Sequence, residues 1–185
     1  GYIESAQTYS VNGEYNHPQY VGWQYTKGDS LSTNRENATK SNAYAAVETW
    51  YNSNIASSYS NYIDTNAIYC NDRGENGAYS TSNQFYYAAY TRLITNKRPT
   101  YECRNEADRF YNFGLMTADE VSYAGGLYDV NNESAYYYLN TEGGSSTGIR
   151  YWWTMSPSYF HSTISTLIFI VHIGNPGRLV DTSVS

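Results

Sequence analysis

The sequence has few charged residues, and basic ones are the scarcer kind. Charged residues make up 15% of the 185 residues, with 11 Lys and Arg against 17 Asp and Glu, which gives a net charge of −6. The basic residues form no run. Because phosphate binding depends on clustered Lys and Arg, no nucleic-acid partner is expected.

Long apolar stretches are also missing. Residues 167–173 are mostly apolar, but such a segment is far shorter than the roughly 20 residues that span a bilayer as a helix. Direct membrane insertion is therefore not expected. The chain starts at Gly1 with neither Met nor a signal-peptide pattern, which suggests a processed or trimmed end.

Cysteine occurs only twice, at Cys70 and Cys103. In a chain that is poor in Lys and rich in Tyr, this pair predicts one disulfide formed in an oxidising compartment, with two buried free thiols as the alternative. A bridge would close the loop of residues 71–102. In the chain-entropy model such a loop stabilises the fold by roughly 3–4 kcal/mol.

Tyrosine, in contrast, is abundant, with 23 residues. Each tyrosine offers both contact area and a hydroxyl group, so tyrosine-rich surfaces bind partners at low entropic cost. Asn, Ser, Thr and Gly fill most other polar positions, as is typical of secreted or surface β-rich proteins. The length fits one domain with a substantial core.

A central strand is predicted at residues 151–155, Tyr-Trp-Trp-Thr-Met, because aromatic and β-branched residues suit a half-buried sheet. Pro157 has no amide hydrogen, so we expect the strand to stop there. Trp152 and Trp50 are expected to share one core. Other strand candidates are residues 20–25, 67–70 and 135–139, and residues 85–94 fit a helix or a strand.

The first of two predicted helices begins at a cap on Ser41 or Asn42 and ends near Ile55. Its apolar residues recur at helical spacing and should face the core. They are Ala43, Ala46, Val47, Trp50 and Tyr51.

The second helix carries a capping box, in which Thr117 and Glu120 each bond to the backbone amide of the other. Gly125 and Gly126 predict its C-terminal cap. Asp119 and Glu120 are interpreted as capping and helix-dipole residues in preference to acid or base catalysts.

No catalytic residues are predicted. A Ser-His-Asp triad would have to combine His161 or His172 with Ser156 or Ser158 and with Asp181, but the glycine pattern of a nucleophile elbow is absent.

No metal site and no cofactor are predicted either. Cys and His do not occur at zinc-ligand spacing. Asp129, Asn131, Asn132 and Glu133 could supply oxygen ligands to calcium, but we interpret them as a turn.

Six short motifs follow one another along the chain: Val-Glu-Thr-Trp-Tyr at 47–51, Tyr-Cys-Asn-Asp-Arg at 69–73, Ala-Tyr-Thr-Arg-Leu at 89–93, Gly-Leu-Met-Thr-Ala-Asp-Glu at 114–120, Ala-Gly-Gly at 124–126 and Trp-Trp-Thr-Met-Ser-Pro at 152–157. Their order resembles a family of surface domains of Gram-positive gut bacteria. That family is similar to the formylglycine-generating-enzyme branch of the C-type lectin-like fold, and its domains often stand at the end of pilin-like or other exported proteins.

This resemblance implies an α+β fold of the C-type lectin-like type, with two short helices, a small twisted antiparallel sheet and many loops. Residues 20–185 would form a single domain with a displayed C-terminal region at 158–185, and residues 1–19 an N-terminal extension or trimmed strand. The catalytic cysteines of formylglycine generation have no counterpart here, so that activity is not implied. The Glu-Pro-Asn and Trp-Asn-Asp motifs of many sugar-binding C-type lectins are also missing.

The C-terminal region further resembles the variable region of proteins diversified by a diversity-generating retroelement. Many of its residues can be reached from an Asn codon by changing adenines, although ordinary strand composition is the alternative. The resemblance implies framework roles for Leu167, Ile168 and Ile170. It implies a displayed ligand-binding set made of Tyr159, Phe160, His161, Ile164, Thr166, Phe169, Val171, His172, Ile173, Asn175, Asp181, Thr182 and Ser183, with Tyr159, Phe160 and Phe169 as aromatic anchors.

Three functions are compatible with these observations. The first is an extracellular, cell-surface adhesin or receptor-binding domain for a protein or glycan ligand on a host or neighbouring cell. The second is a structural or tip subunit of a bacterial surface filament or of a larger surface protein. The third is an enzyme on the formylglycine-type scaffold, for which the sequence supplies no clustered catalytic set.

Overall fold

A computed structural model describes residues 22–25, 39–76, 85–103, 109–110, 113–130, 151–161, 165–172 and 178–183, with the backbone alone for 165–172 and for some other strand residues. Both helices and strands are present, so the α+β prediction is confirmed. The strand predicted at 135–139 lies outside the described residues. No helix in the described part of the chain is long and apolar enough to cross a membrane.

The strands are short before residue 150 and long after it. They are β1 (Gln24–Tyr25), β2 (Thr39–Lys40), β3 (Tyr69–Cys70), β4 (Glu75–Asn76), β5 (Phe85–Tyr87), β6 (Arg109–Phe110), β7 (Tyr151–His161), β8 (Ser165–His172) and β9 (Arg178–Ser183). The helical segments are α1 (Asn42–Tyr51), α2 (Ser57–Tyr59), α3 (Ala88–Tyr90) and α4 (Ala118–Tyr123), with π-helical turns at Asn52–Ala56 and Thr91–Thr95 and a 3-10 turn at Ser60–Tyr62.

The main sheet is antiparallel and has five strands in the order β4-β5-β7-β8-β9. Two small antiparallel pairs, β1 with β2 and β3 with β6, lie outside it. The strand β7 is central, as the aromatic and β-branched residues at 151–155 predict. β4 and β9 are the edge strands of this sheet.

The prediction that the strand stops at Pro157 is wrong, because β7 continues to His161. The reason is a bulge. Between Trp153 and Pro157, β7 advances by four residues while its partners on β8 move only from Ile170 to Ile168. A bulge leaves residues without ladder partners, so proline fits there even in an interior strand.

The helix α1 begins as predicted at Ser41, whose hydroxyl accepts a hydrogen bond from the amide of Tyr44 at 3.0 Å. Its buried stripe is rotated relative to the prediction: Ala43, Tyr44, Val47 and Tyr51 reach the core. Trp50 is only partly buried and lies outside this stripe, and the side chain of Trp152 lies outside the described residues.

The helical path continues beyond the expected end near Ile55, through α2 and the turn at Ser60–Tyr62. Tyr59 and Tyr62 in this extension are exposed by 54% and 87%. In the same way Ile68 is 55% exposed, and the expected buried strand at 67–70 is only partly buried.

The ambiguous segment at 85–94 is both strand and helix. β5 ends at Tyr87, and the chain turns directly into α3 and the following π-helical turn. The change of direction is fixed by a 2.6 Å hydrogen bond from the amide of Ala88 to the carbonyl of Gly74. Tyrosines near the end of the strand and the start of the helix are thereby brought close together.

The helix α4 has the predicted capping box. The Thr117 hydroxyl accepts from the Glu120 amide at 3.2 Å, and the Glu120 carboxylate accepts from the Thr117 amide at 2.7 Å. The helix ends in a Schellman motif, with Gly125 at φ 99° and the Gly126 amide bonded to the carbonyl of Val121. A left-handed residue is needed there, which explains the glycine.

The predicted disulfide between Cys70 and Cys103 is confirmed, with a sulfur–sulfur distance of 2.16 Å. It ties β3 to the segment that follows Pro99. This segment also contacts α4, because the amide of Thr100 donates to the carboxylate of Asp119 at 2.8 Å.

Among the described residues, the buried apolar side chains form three clusters. The first surrounds Trp23, which is fully buried and packs against Tyr44 at 5.2 Å between ring centroids. A second lies between α3, α4 and Leu179 of β9, and a third pairs Tyr87 with Phe160.

A buried ionic network lies between these clusters. The guanidinium of Arg92 donates to Asp72 at 2.9 Å and to Asp119 at 2.6 and 3.0 Å. The side chains of Asp72 and Asp119 are only 10% and 2% exposed. Asp119 was expected to cap the helix or complement its dipole. Its side-chain contacts show that it is one of the two buried carboxylates paired with Arg92.

The network extends to the bulge of β7. The hydroxyl of Ser156 donates to Asp72 at 2.6 Å and accepts from the amide of Ala118 at 3.0 Å. Four of the six sequence motifs, those at 69–73, 89–93, 114–120 and 152–157, therefore meet at one place. Their residues hold the fold together.

Removing the cation should destabilise the protein strongly. Arg92→Met leaves two buried carboxylates facing each other, and we expect the free energy of unfolding in urea to fall by about 3–5 kcal/mol. The control is Lys40→Met, which breaks the Lys40–Glu48 pair whose side chains are 48% and 33% exposed. That variant should lose no more than about 1 kcal/mol. Equal losses for the two variants would show that the buried network stabilises the protein no more than an exposed ion pair does.

Candidate functional site

A cavity of about 730 Å³ opens beside the buried network. Asp72, Arg92 and Asp119 lie in its wall together with the disulfide and with charged side chains nearer the surface. Two carboxylates and a guanidinium in a cavity could in principle serve acid–base chemistry.

The electrostatics of this cavity favour a structural role. Burial raises the pKa of Asp72; Arg92 acts against this rise and the charge of Asp119 adds to it. Burial also disfavours the charge of Arg92, but its hydrogen bonds to Asp119 and the nearby carboxylates outweigh burial and raise its pKa. The guanidinium therefore stays charged, and both carboxylates are occupied by it.

A second site lies at the other side of the bulge and is built from tyrosines. Tyr86 and Tyr159 are paired across β5 and β7, and Tyr90 is the last residue of α3, which follows β5 directly. The ring centroids are 4.3 Å apart for Tyr86 and Tyr90, and 5.9 Å apart from Tyr159 to each of them. All three are partly exposed, and we call them the tyrosine platform.

A carboxylate stands beside the tyrosine platform. Asp181 on β9 is partly exposed and accepts hydrogen bonds from the Tyr128 hydroxyl at 2.9 Å and from the Ser158 hydroxyl at 2.8 Å. Ser158 is fully buried in the bulge of β7, so it holds the Asp181 carboxylate from the interior side. Tyr128 is placed by the pairing of its segment with Leu179.

The field of Asp181 reaches the tyrosines. Burial raises the pKa of Tyr128, Tyr90 and Tyr159, and the negative charge of Asp181 adds to the rise in each case. Their phenol groups therefore remain protonated and neutral over the physiological pH range. The site combines flat aromatic surface, neutral hydroxyl groups and one positioned carboxylate.

The structure brings two of the sequence-predicted binding residues, Tyr159 and Asp181, into this site. His161 follows on β7 and is partly exposed. For the other predicted binding residues no side-chain position is described. The structure gives the backbone alone for six of them: Thr166, Phe169, Val171 and His172 on β8, and Thr182 and Ser183 on β9. Ile164, Ile173 and Asn175 lie outside the described residues, and so do the side chains of the framework residues Leu167, Ile168 and Ile170.

The prediction that Phe160 is a displayed aromatic anchor is wrong. Phe160 is fully buried and packs in a cluster with Tyr87. Neighbouring residues on a strand point to opposite faces of the sheet. Because Tyr159 lies on the partly exposed face, Phe160 lies on the buried one.

Three site residues, Tyr86, Tyr90 and Tyr128, were not predicted from the sequence. The abundance of tyrosine was the only available signal, since 23 tyrosines cannot be sorted by composition. Tyr86 and Tyr90 are separated from Tyr159 by about seventy residues, and only the pairing of β5 with β7 unites them.

Metal binding is not supported in this part of the chain. Among the described residues, no group of three or more His, Cys, Asp or Glu is placed to hold a metal ion. Asp129, one of the possible calcium ligands, is exposed and forms an ion pair with Arg178. Its neighbours at 131–133 lie outside the described residues.

The raised pKa of Asp72 predicts a pH-dependent effect of substitution. A native pKa above the ordinary aspartate value of 3.8 means that the folded state holds this proton more tightly than the unfolded state. The contribution of Asp72 to stability is thus greatest below that value and falls as pH rises through the native pKa. Asn at this position cannot titrate. The unfolding free energy of Asp72→Asn, relative to the native protein, should therefore rise with pH across this window.

Urea unfolding at a series of pH values measures this difference. Asp64→Asn is the control, because it removes the same charge from an exposed side chain. A relative stability of Asp72→Asn that stays constant or falls as pH increases would contradict the assignment.

Comparisons of the chain with protein-family models, with curated proteins and with solved structures find no match. The motif resemblance therefore stands as an expectation about the fold. The function has to be inferred from the geometry of the site itself, and the tyrosine platform beside Asp181 is the arrangement best suited to contact a ligand.

Proposed function

We propose that this chain is an extracellular ligand-binding domain, acting as an adhesin or receptor-binding module, and that the tyrosine platform and Asp181 belong to its binding face. One observation carries the proposal: three partly exposed tyrosine rings converge, and the carboxylate of Asp181 is held by Ser158, which precedes Tyr159 on β7. Tyrosine binds with large contact area and little loss of side-chain entropy, and it is enriched where proteins recognise partners.

The rigidity of the site supports binding. Tyr159 is held on the central strand, Tyr90 on a helix that packs against that strand, and Asp181 by two hydroxyl donors. A preorganised face loses less conformational entropy when a ligand docks than a flexible loop does. The disulfide agrees with an oxidising, extracellular location.

We also propose that the fold is C-type lectin-like. Four of the motifs that carry the resemblance meet in the buried network around Arg92, as expected if they define a common framework. In this arrangement Tyr159 and Asp181 occupy the C-terminal region that the resemblance assigns to ligand binding.

Binding should depend on the tyrosine platform. We expect the protein to bind at least one component of an array of immobilised glycans and extracellular host proteins. Tyr90→Ala should weaken that binding by about tenfold or more, because it removes one of the rings that provide contact area. The control is Tyr101→Ala, which alters another exposed tyrosine, stacked on Tyr123 far from Asp181 in sequence.

Each variant is compared at equal folded fraction, measured by near-ultraviolet circular dichroism, and Tyr86→Ala replaces Tyr90→Ala if the latter folds poorly. Failure of the native protein to bind any component would overturn the proposed function. Equal weakening by the Tyr101 variant would place the binding face elsewhere.

The C-terminal region is further proposed to be diversified by a retroelement. The coding DNA provides the test, since a diversified region should have a near-identical template copy nearby that differs mainly at adenines. Differences should fall on codons such as those of Tyr159 and Asp181. They should spare the codon of the buried Phe160, where substitution would open a cavity in the core. Absence of any such copy from the surrounding genome would reject diversification and leave the binding proposal intact.

A further inference from the structure

We infer that the tyrosine platform and Asp181 bind a guanidinium group, presented by an arginine side chain on a protein partner. This inference rests on the proposed binding function and specifies the chemistry of its ligand. It follows from the charge of the site, from the free acceptor positions of Asp181 and from the aromatic surface beside it.

The charge of Asp181 is not neutralised by an ion pair within the described part of the chain. Its two hydrogen-bond partners among the described residues, Tyr128 and Ser158, are neutral hydroxyl donors. The nearest basic residue on the same strand, Arg178, is paired with Asp129. Within the described part of the chain, the two donors thus hold this partly exposed carboxylate in place and leave room for a cationic partner.

The geometry of the carboxylate favours a forked donor. An ionised carboxylate has about four acceptor positions on its two oxygens. Tyr128 occupies one position on Oδ1, and Ser158 occupies one on Oδ2. One position remains on each oxygen, and a guanidinium presents two parallel N–H groups that match such a pair.

The tyrosines supply the rest of the recognition. Aromatic faces carry negative charge density and attract cations, and the planar guanidinium also stacks on them. Asp181 acts in the same direction. Burial raises the pKa of Tyr90 and Tyr159, and the negative charge of Asp181 adds to the rise; the same charge would stabilise a positive group placed nearby. The net charge of −6 adds a long-range attraction for basic partners.

The test uses small probes and the whole chain. Nuclear magnetic resonance titration follows the amide signals of residues 86–90, 158–161 and 178–181 while N-acetyl-arginine amide is added. The neutral isostere N-acetyl-citrulline amide keeps the size and most of the donors of the arginine probe but lacks its charge. Methyl glucoside offers a neutral pair of hydroxyl groups, which is how a carbohydrate would engage the same carboxylate.

We expect saturable shifts with the arginine probe and binding weaker by about tenfold or more with the citrulline probe, since charge-assisted hydrogen bonds are roughly twice as strong as neutral ones. Asp181→Asn preserves the shape of the site and should reduce arginine binding to the citrulline level. Asp64→Asn, which removes an exposed charge elsewhere, should leave it unchanged. Tighter binding of methyl glucoside, or equal binding of arginine and citrulline, would overturn the inference.

These outcomes can be separated from failure of the proposed function. If the array detects a ligand that depends on Tyr90 while the arginine probe does not shift the platform signals, the domain binds through this face but not through a cation. If neither experiment gives a signal at the platform, both proposals fall. If the arginine probe binds at the platform but the array detects no ligand, the cation site stands without the assigned function.

Discussion

A single guanidinium between two buried carboxylates is the interaction on which this fold depends. Arg92 comes from the turn after α3, Asp72 from the segment after β3 and Asp119 from the first turn of α4. The guanidinium joins these three segments directly through its hydrogen bonds to both carboxylates. Charges of this kind are costly to desolvate, and they are tolerated when each one has a partner and the remaining acceptors are filled. Here the Ser156 hydroxyl donates a further hydrogen bond to Asp72, and the Thr100 amide donates one to Asp119.

The bulge in β7 connects this framework to the candidate binding face. Ser156 and Ser158 are two residues apart within it, and both are fully buried. The first donates to Asp72 in the network, and the second donates to Asp181 beside the tyrosine platform. Extra residues in one strand bend it and redirect its side chains, which is why bulges occur so often next to functional sites. The position of the surface carboxylate is thereby linked to the interior of the protein.

The candidate site was only partly predictable. Tyr159 and Asp181 belong to the region that the motif resemblance assigns to binding, and Ser158, the neighbour of Tyr159 on β7, donates a hydrogen bond to Asp181. Tyr86 and Tyr90 carried no comparable signal, because their partnership with Tyr159 arises from strand pairing between distant segments. Phe160 illustrates the opposite error. It is as aromatic as Tyr159, but alternation along the strand sends it to the buried face.

The sequence by itself determined two kinds of feature. In one, the hydrogen-bonding groups lie within a few residues of each other; in the other, only one pairing of residues is possible. The cap at Ser41, the capping box of Thr117 and the glycine terminus of α4 depend on hydrogen bonds that span three to five residues. The disulfide followed because only two cysteines exist. The tertiary structure decided the rest: the passage of β7 through Pro157, the clamp around Arg92 and the platform beside Asp181. These depend on contacts between residues up to 84 positions apart, and local propensity cannot specify which distant segments meet.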